Sequence, residues 1–378
     1  MFKIRLIIVL IATAFMGNAQ NSFIVKDVKV FDGEVIIEST SVKVENGVIV
    51  EVSKHIKASS KTLIIEGKDK TLMPALSNAH VHAWAAESLK EAAKAGVLNV
   101  MDMHGVETYQ SAMRQLKDST NYANYYVAGY AATVPEGHGT QFGFPVPTLT
   151  KPEEAKQFIA DRVKADVDHI KIILEPWKAT LDSETVAELI KEAHKAEKIA
   201  VVHISRLDDA VDVILNDADG LVHIWWDKEL EPSKLKELSE SKSFFVIPTL
   251  LTTFKVFKSM GSESEQFLYK EQLLSEVKKM YEVGIPILAG TDPPNAGINY
   301  GTDLYKELEL IGKSGMPTIE VLKAATSNIT TAFGLKRTGF IKVGFSADLI
   351  LVEGDPTKNI KDLNNSKTIW KRGKQVKK

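Results

Sequence analysis

The chain has 378 residues, of which 44% are hydrophobic and 25% charged, with a formal net charge of −2. That balance excludes intrinsic disorder and gives no basic footprint for a nucleic-acid backbone. There is no cysteine, which excludes disulfides, iron–sulfur clusters, thiolate zinc sites and a cysteine nucleophile together. Any metal must be held by His, Asp, Glu or a modified Lys.

The first nineteen residues read as an address. Lys3 and Arg5 form a positive start, Leu6 to Met16 is an apolar run of eleven, and Gly17-Asn18-Ala19 supplies small residues at the cleavage positions. This is the pattern of a secretory signal cut after Ala19. It is shorter than the about 20 residues that span a bilayer. Its removal takes two positive charges and leaves the mature chain at −4. An exported protein without disulfides fits a bacterial periplasm or secretion. No second long apolar run follows, so no membrane contact is expected after cleavage.

Strand patterns come next. Phe23–Phe31 and Val35–Glu38 precede a hairpin centred on Asn46-Gly47, the strongest short hairpin signal. Thr62–Ile65 adds a strand. The other chain end looks alike, with a strand at Ala347–Val352 and a hairpin over Thr368–Val376 that turns at Arg372-Gly373. Between them, apolar runs alternate with amphipathic helical patterns, the signature of βα units. The strand candidates are Thr71–Ala75, Val97–Met101, Tyr125–Ala131, His169–Leu174, Ala200–Ile204, Gly220–Ile224, Phe244–Pro248 and Ile285–Gly290. Ser88–Ala95, Glu153–Lys164, Ser183–Ala196 and Glu263–Val283 read as helices. Eight strands over this length predict an α/β fold with a (β/α)8 TIM barrel across 71–337. An open doubly wound sheet is the alternative, though no G-x-G-x-x-G follows the first strand. Residues 20–70 and 338–378 would form a small discontinuous β-sandwich domain.

Chemistry-bearing residues fall at the C-terminal ends of these strands, where barrel enzymes place active sites. His80 and His82 are two apart on an extended chain and share a face. Lys171 lies among apolar residues inside a strand, where a lone ammonium faces a large desolvation cost. It either snorkels to solvent or reacts with carbon dioxide to become a carbamate. His203 and His223 end two further strands, and Asp292 lies just past the last.

The order His80-x-His82, Lys171, His203, His223, Asp292 resembles the metal-dependent amidohydrolase superfamily. So does the tail, from Thr318 to Asn328, through Gly334-Leu335, to Ala347-Asp348-Leu349. The similarity covers nearly all of the mature chain and points to the imidazolonepropionase-like and prolidase-like branch. It implies two divalent ions, most readily zinc. His80, His82 and Asp292 would hold one, His203 and His223 the other, and carboxylated Lys171 would bridge them. It also implies hydrolysis of a non-aromatic C–N bond, an amide or cyclic amide, in a dipeptide or N-acyl amino acid. A metal lowers the pKa of water toward about 7, and Asp292 would shuttle the proton. The chain departs from the usual pattern at Asn78, where the family has Asp, and at Ala75, where it has Gly.

Candidate substrate contacts follow the same strands. They are Trp84, Trp177, Trp225, Arg206 for a carboxylate, and His138 in the loop Pro135–Gln141 for a carbonyl or oxyanion. His104 is a weaker candidate, His169 reads as structural, and His55 and His194 as solvated. The partner is a small molecule, with a homodimer the default assembly. Two alternatives stay open: a mononuclear enzyme with unmodified Lys171, and a catalytically silent ligand-binding scaffold on the same fold.

Overall fold

The computed structural model describes residues 22–377 apart from 61 and 262. The signal-like segment 1–19 lies outside the described residues. Five strands come first: β1 (Phe23–Phe31), β2 (Ile36–Glu45), β3 (Val48–Ser53), β4 (Leu63–Glu66) and β5 (Lys70–Pro74). Seven short ones follow: β6 (Leu76–Val81), β7 (Val97–Asp102), β8 (Asn124–Val127), β9 (Ile170–Ile173), β10 (Ala200–His203), β11 (Gly220–Val222) and β12 (Phe245–Ile247). The chain closes on β13 (Leu349–Glu353), β14 (Lys367–Lys371) and β15 (Lys374–Gln375).

Both chain ends enter one sheet, ordered β15–β14–β13–β5–β1–β2–β3 with β4 beside β1. The expected two-layered sandwich is instead this single sheet, curled on itself. Ala347 N donates to Gly47 O and Gly373 N to Ala347 O, which draws the two outer hairpins together. Asn46 and Gly47, and Arg372 and Gly373, all have positive φ, the backbone that tight two-residue hairpins demand. Val25, Val30, Val42, Leu72, Leu349 and Trp370 fill the interior of the curl.

The middle of the chain forms two parallel sheets, β6–β7–β8 and β9–β10–β11–β12, with helices on their outer face. Backbone bonds bridge the gaps between them. Ala132, past β8, pairs with Ile172 of β9, and Ile287 pairs with Val246 of β12. Ala79 N donates to Ala289 O, and Asp292 N to His80 O. The segment 285–290 therefore lies between β12 and β6 although it forms no regular strand. One apolar layer packs the sheets against the helices, with Ile170, Ile172, Ala200, Val202 and Leu221 facing it. A smaller cluster lies on the opposite face, including Ala79, Met101, Val201, Val222, Ile247 and Leu288.

One boundary differs from the sequence reading. Thr71–Ala75 is not the first strand of the parallel sheets. Residues 70–74 pair with β13 and β1, and the parallel sheet begins only at Leu76. Ala75 N bonds Asp348 O while Leu76 N bonds Gly96 O, so the chain changes partners between adjacent residues. A continuous apolar run hides this, because both neighbours bury it.

Lys371 ties the terminal sheet to the rest of the molecule. Its side chain is buried, and Nζ donates to Tyr122 O at 2.6 Å, Lys117 O at 2.9 Å and Ser119 O at 3.1 Å. Burial pushes its pKa down to about 8. Three carbonyls would lose a charged donor at once on substitution. Lys371→Met is expected to lower unfolding stability by about 3 kcal/mol, read from denaturant melts; a melt within 0.5 kcal/mol (roughly the spread of neutral surface changes) would show the contact to be unimportant.

Candidate metal centre and its cleft

Four of the six imidazoles lining a single small cavity converge there with one carboxylate and one amine: His80, His82, His203, His223, Asp292 and Lys171. His80 Nε2 lies 3.3 Å from His82 Nε2 and 3.3 Å from Asp292 Oδ1. His82 Nε2 lies 3.0 Å from the same oxygen. These three residues form a group compact enough to hold one ion. The His203 and His223 rings are 4.4 Å apart edge to face, and the His223 ring is 5.2 Å from that of His80.

Local backbone aims each side chain. The register of β6 against β7 slips between Asn78 and Val81, a bulge-like irregularity of the kind that re-aims side chains beside active sites. The Asn78 amide fixes this turn. Its Oδ1 accepts from His80 N and Thr291 N, both at 3.1 Å, and its Nδ2 donates to Thr291 Oγ1 at 2.6 Å. The amide thus supplies a donor as well as an acceptor, where a carboxylate would only accept. Gly290 allows the close approach across this seam, since a Cβ there would sit 2.4 Å from Ile247 Cγ2 and 3.0 Å from His80 Cβ.

His223 and Asp292 both adopt left-handed backbone, φ 67° and 59°, uncommon for residues other than glycine. On β11, Leu221 faces the helices and Val222 the opposite side. Simple alternation would therefore send His223 outward, and the left-handed turn sends it into the cavity instead. The same turn corrects the expectation for Trp225. That residue is fully buried in the outer layer, donating from its indole Nε1 to Glu276 Oε2 at 3.1 Å. Trp226 reaches the cleft in its place.

Three of the four imidazoles have a second hydrogen-bond partner, while His80 Nδ1 is buried without one. His82 Nδ1 meets His104 O at 3.3 Å, and His223 Nδ1 meets Thr249 Oγ1 at 2.5 Å. His203 Nε2 lies 3.0 Å from Glu175 Oε2, and Glu175 Oε1 accepts from Ser205 Oγ at 3.2 Å. Lys171 Nζ has no hydrogen-bond partner among the described residues, although only 3% of the residue is exposed. This orphaned amine among converging imidazoles and a carboxylate fits a divalent-ion site with a modified lysine.

Burial dominates the electrostatics. It pushes Lys171 down to about 7. It also holds the imidazoles of His80, His203 and His223 well below their ordinary value, with the Lys171 charge adding to the effect. His82 and Asp292 act as a pair. Burial is the largest single influence and would lower the imidazole and raise the carboxyl, but their mutual hydrogen bond and charge attraction, together with neighbouring groups, outweigh it and reverse both directions. The neutral imidazoles and neutral amine are the forms that ligate metals or react with carbon dioxide.

A wider cleft of about 480 Å³ opens over this cavity, walled by Phe142, Trp177, Trp226 and Phe257 with Glu175, His138 and Asn295 as polar members. His138 lines both spaces. Arg206 does not enter them: it is exposed and donates twice to Asp209, both bonds at 2.9 Å. Trp84 lies against Phe142 and Phe144 in a separate side pocket. His104 lines the inner cavity, but its Nδ1 accepts from Ala131 N and its Nε2 lies 3.1 Å from Gly139 O. His169 is buried against Phe333. His194 is not simply solvated, since it sits 2.7 Å from Asp219 Oδ2.

Sequence reasoning missed three contributors. Glu175 follows its strand as Asp292 follows the last, so the same rule could have found it. Asp102 binds four donors: Ala83 N, Tyr125 OH, His104 N and Gln110 Nε2. It fixes the loops beside His82, and burial raises it to about 6. Asn295 donates to Asp292 Oδ1 at 2.9 Å, a contact with no sequence signal of its own.

The Lys171 environment has a measurable consequence in metal-free protein. Its folded pKa of about 7 lies below the ordinary 10.5. Between these values the unfolded chain binds the extra proton, so stability rises with pH through that window and falls again as pH drops through about 7. Lys171→Met removes this slope and is expected to stabilise metal-free protein at pH ~6 by on the order of a few kcal/mol. Denaturant unfolding at pH ~6 and pH ~9.5, in chelator and CO2-free buffer, reads it. Identical pH dependence in both proteins would refute a buried, unpaired amine.

Comparison with known proteins agrees with the fold. A model described as "Amidohydrolase family" matches residues 230–376. The chain is 24% identical over 297 residues to an ochratoxinase of Aspergillus niger, covering 67% of this chain and 60% of the relative; it therefore spans about three fifths of that relative's length. It is 23% identical over 377 residues to a 5-methylthioadenosine/S-adenosylhomocysteine deaminase of Dictyoglomus turgidum, covering 87% and 84%. A solved Xaa-Pro dipeptidase with bound methionine superposes with TM-score 0.82 at 20% identity, covering 94% of this chain and 100% of that one. The A. niger ochratoxinase structure does so with TM-score 0.76 at 18% identity, covering 94% and 95%. Residues 230–376 are thus similar to the amidohydrolase family, and the chain shares its overall fold with these two solved structures.

Proposed function

We propose that this chain is a metal-dependent hydrolase of non-aromatic C–N bonds, exported as a small-molecule enzyme and built on a closed (β/α)8 barrel. The observation that carries the reading is the convergence of six ion-binding or ion-bridging side chains, one of them an unpaired buried lysine, beneath an open cleft. The bonds of Ala79 to Ala289 and Asp292 to His80 support closure of the barrel.

His80, His82 and Asp292 would hold one divalent ion, and His203 and His223 a second, with zinc suited to this donor set. When bound, such ions supply hydroxide at neutral pH and polarise a carbonyl. The neutral form of the Lys171 amine is the one that would add to carbon dioxide, releasing one proton and giving a carbamate able to ligate the ions. Asp292 takes a proton from the attacking water and returns it to the leaving nitrogen. Asn295 holds the Asp292 carboxylate in place for both transfers. His138, at the junction of cavity and cleft, donates toward the substrate carbonyl.

A mononuclear version is favoured by one observation: His80, His82 and Asp292 alone form the compact group. Metal analysis separates the two. The binuclear reading expects about two ions per chain and a Lys171 heavier by one carbon dioxide in gently ionised protein. One ion with unmodified Lys171 would select the mononuclear form. Asp292→Asn that retains metal is expected to lose about a thousandfold in kcat. Wild-type turnover in that variant would remove Asp292 as the shuttle, and no turnover by metal-loaded wild type on amides, cyclic amides or dipeptides would leave a binding scaffold. Export predicts a mature chain beginning at Gln20, read by N-terminal sequencing of the secreted or periplasmic protein; an intact Met1 would refute cleavage.

A further inference from the structure

The cleft walls differ on two counts from what a dipeptide or an N-acyl amino acid needs. The first is flat apolar surface. Trp177 and Trp226 stack with ring centroids 5.3 Å apart and planes 9° from parallel, and Phe257 meets Trp226 edge-on at 5.4 Å. Trp177 stands 67% exposed on this wall, an unusual amount of aromatic surface to leave in water without a ligand.

The second is charge. Among the described residues lining the cleft and the cavity beneath it, Lys171 is the sole Lys or Arg, and its amine belongs to the ion site. The neighbouring sequence 262–268, Ser-Glu-Ser-Glu-Gln-Phe-Leu, adds no basic residue. Arg206 is spent on Asp209, and Lys255 at the rim bonds Ala296 O and Gly297 O. Glu175 faces the cleft with no Lys or Arg beside it, bonded to His203, Ser205 and the Trp177 backbone. With the scissile bond at the ion site, a substrate carboxylate resting on the cleft walls would lose its hydration without gaining a side-chain cation and would confront Glu175 as a like charge.

We propose that the cleft selects an uncharged aryl amide, carbamate or urea: a C–N bond flanked by a flat aromatic group on the Trp177–Trp226 wall and by no free carboxylate. This rests on the hydrolase reading above and narrows it. For an aryl amide, the C–N bond breaks, water supplies the oxygen of the new carboxylic acid and one proton to nitrogen, and a neutral arylamine leaves. Trp226 is the specificity-determining residue, and Glu175 excludes anionic substrates.

Two measurements test this. In metal-loaded protein, kcat/KM for N-(2-naphthyl)acetamide is expected to exceed that for N-acetylphenylalanine and glycyl-phenylalanine by about 100-fold or more. Val256→Arg, which places a cation on an exposed stretch of the cleft wall, narrows that ratio by about tenfold. In metal-free protein, calorimetric titration is expected to show binding of the naphthyl amide, weakened about tenfold by Trp226→Ala and restored by Trp226→Phe. Equal or better turnover of the carboxylates would overturn the proposal while leaving the hydrolase intact. Absence of turnover on all three would overturn the hydrolase reading, and the binding titration then decides the cleft's preference alone: N-acetylphenylalanine bound as tightly as the naphthyl amide refutes it.

Discussion

A primary amine held inside a folded chain with nothing to bond is expensive, and burying Lys171 is the constraint around which the centre of this molecule is arranged. An unsatisfied buried amine costs on the order of a few kcal/mol. It persists because the apolar layer against the helices holds Ile170 and Ile172, while β10 on one edge and Ala132 on the other pin the β9 backbone. The neighbouring imidazoles are neutral for the same reason the amine is: water is largely absent. Shared desolvation turns six ordinary titratable groups into a set ready for cations.

That arrangement depends on exceptions to regular strand geometry. The irregular register of β6 and the left-handed turns at His223 and Asp292 bring side chains inward that strict alternation would scatter. Each exception is held by specific bonds. The Asn78 amide spans the seam to Thr291, Thr249 receives the far side of His223, and Asn295 steadies Asp292. The site is thus built from deviations, while the regular parts of the fold hold those deviations in place.

Much of this was readable from residue order. The two terminal hairpins, seven of the eight strand candidates and the six cavity-lining side chains follow from turn chemistry, periodicity and position at strand ends. Three things were not. Continuous apolar sequence over 72–76 conceals the change of sheet at Ala75, since burial is the same on both sides. Trp225 and Trp226 exchange roles because a backbone torsion at His223 lies outside any side-chain pattern. Arg206 looks free in sequence, yet a helical turn places Asp209 beside it. Local charge pairing of that kind competes with any functional role and is decided only in three dimensions.

The seam between β6 and the 285–292 segment joins residues more than two hundred positions apart, through Asn78 and Thr291 among others. His80 and His82 lie on one side of it and Asp292 on the other. A chain still being made, or one whose seam has parted, holds two fragments of a site and no ion pocket. Ion capture therefore reports completion of the fold. On the proposed reading, an exported chain would meet its metal only after crossing the membrane and closing, and the cation would then serve as a latch on the finished molecule and not as a template for its assembly.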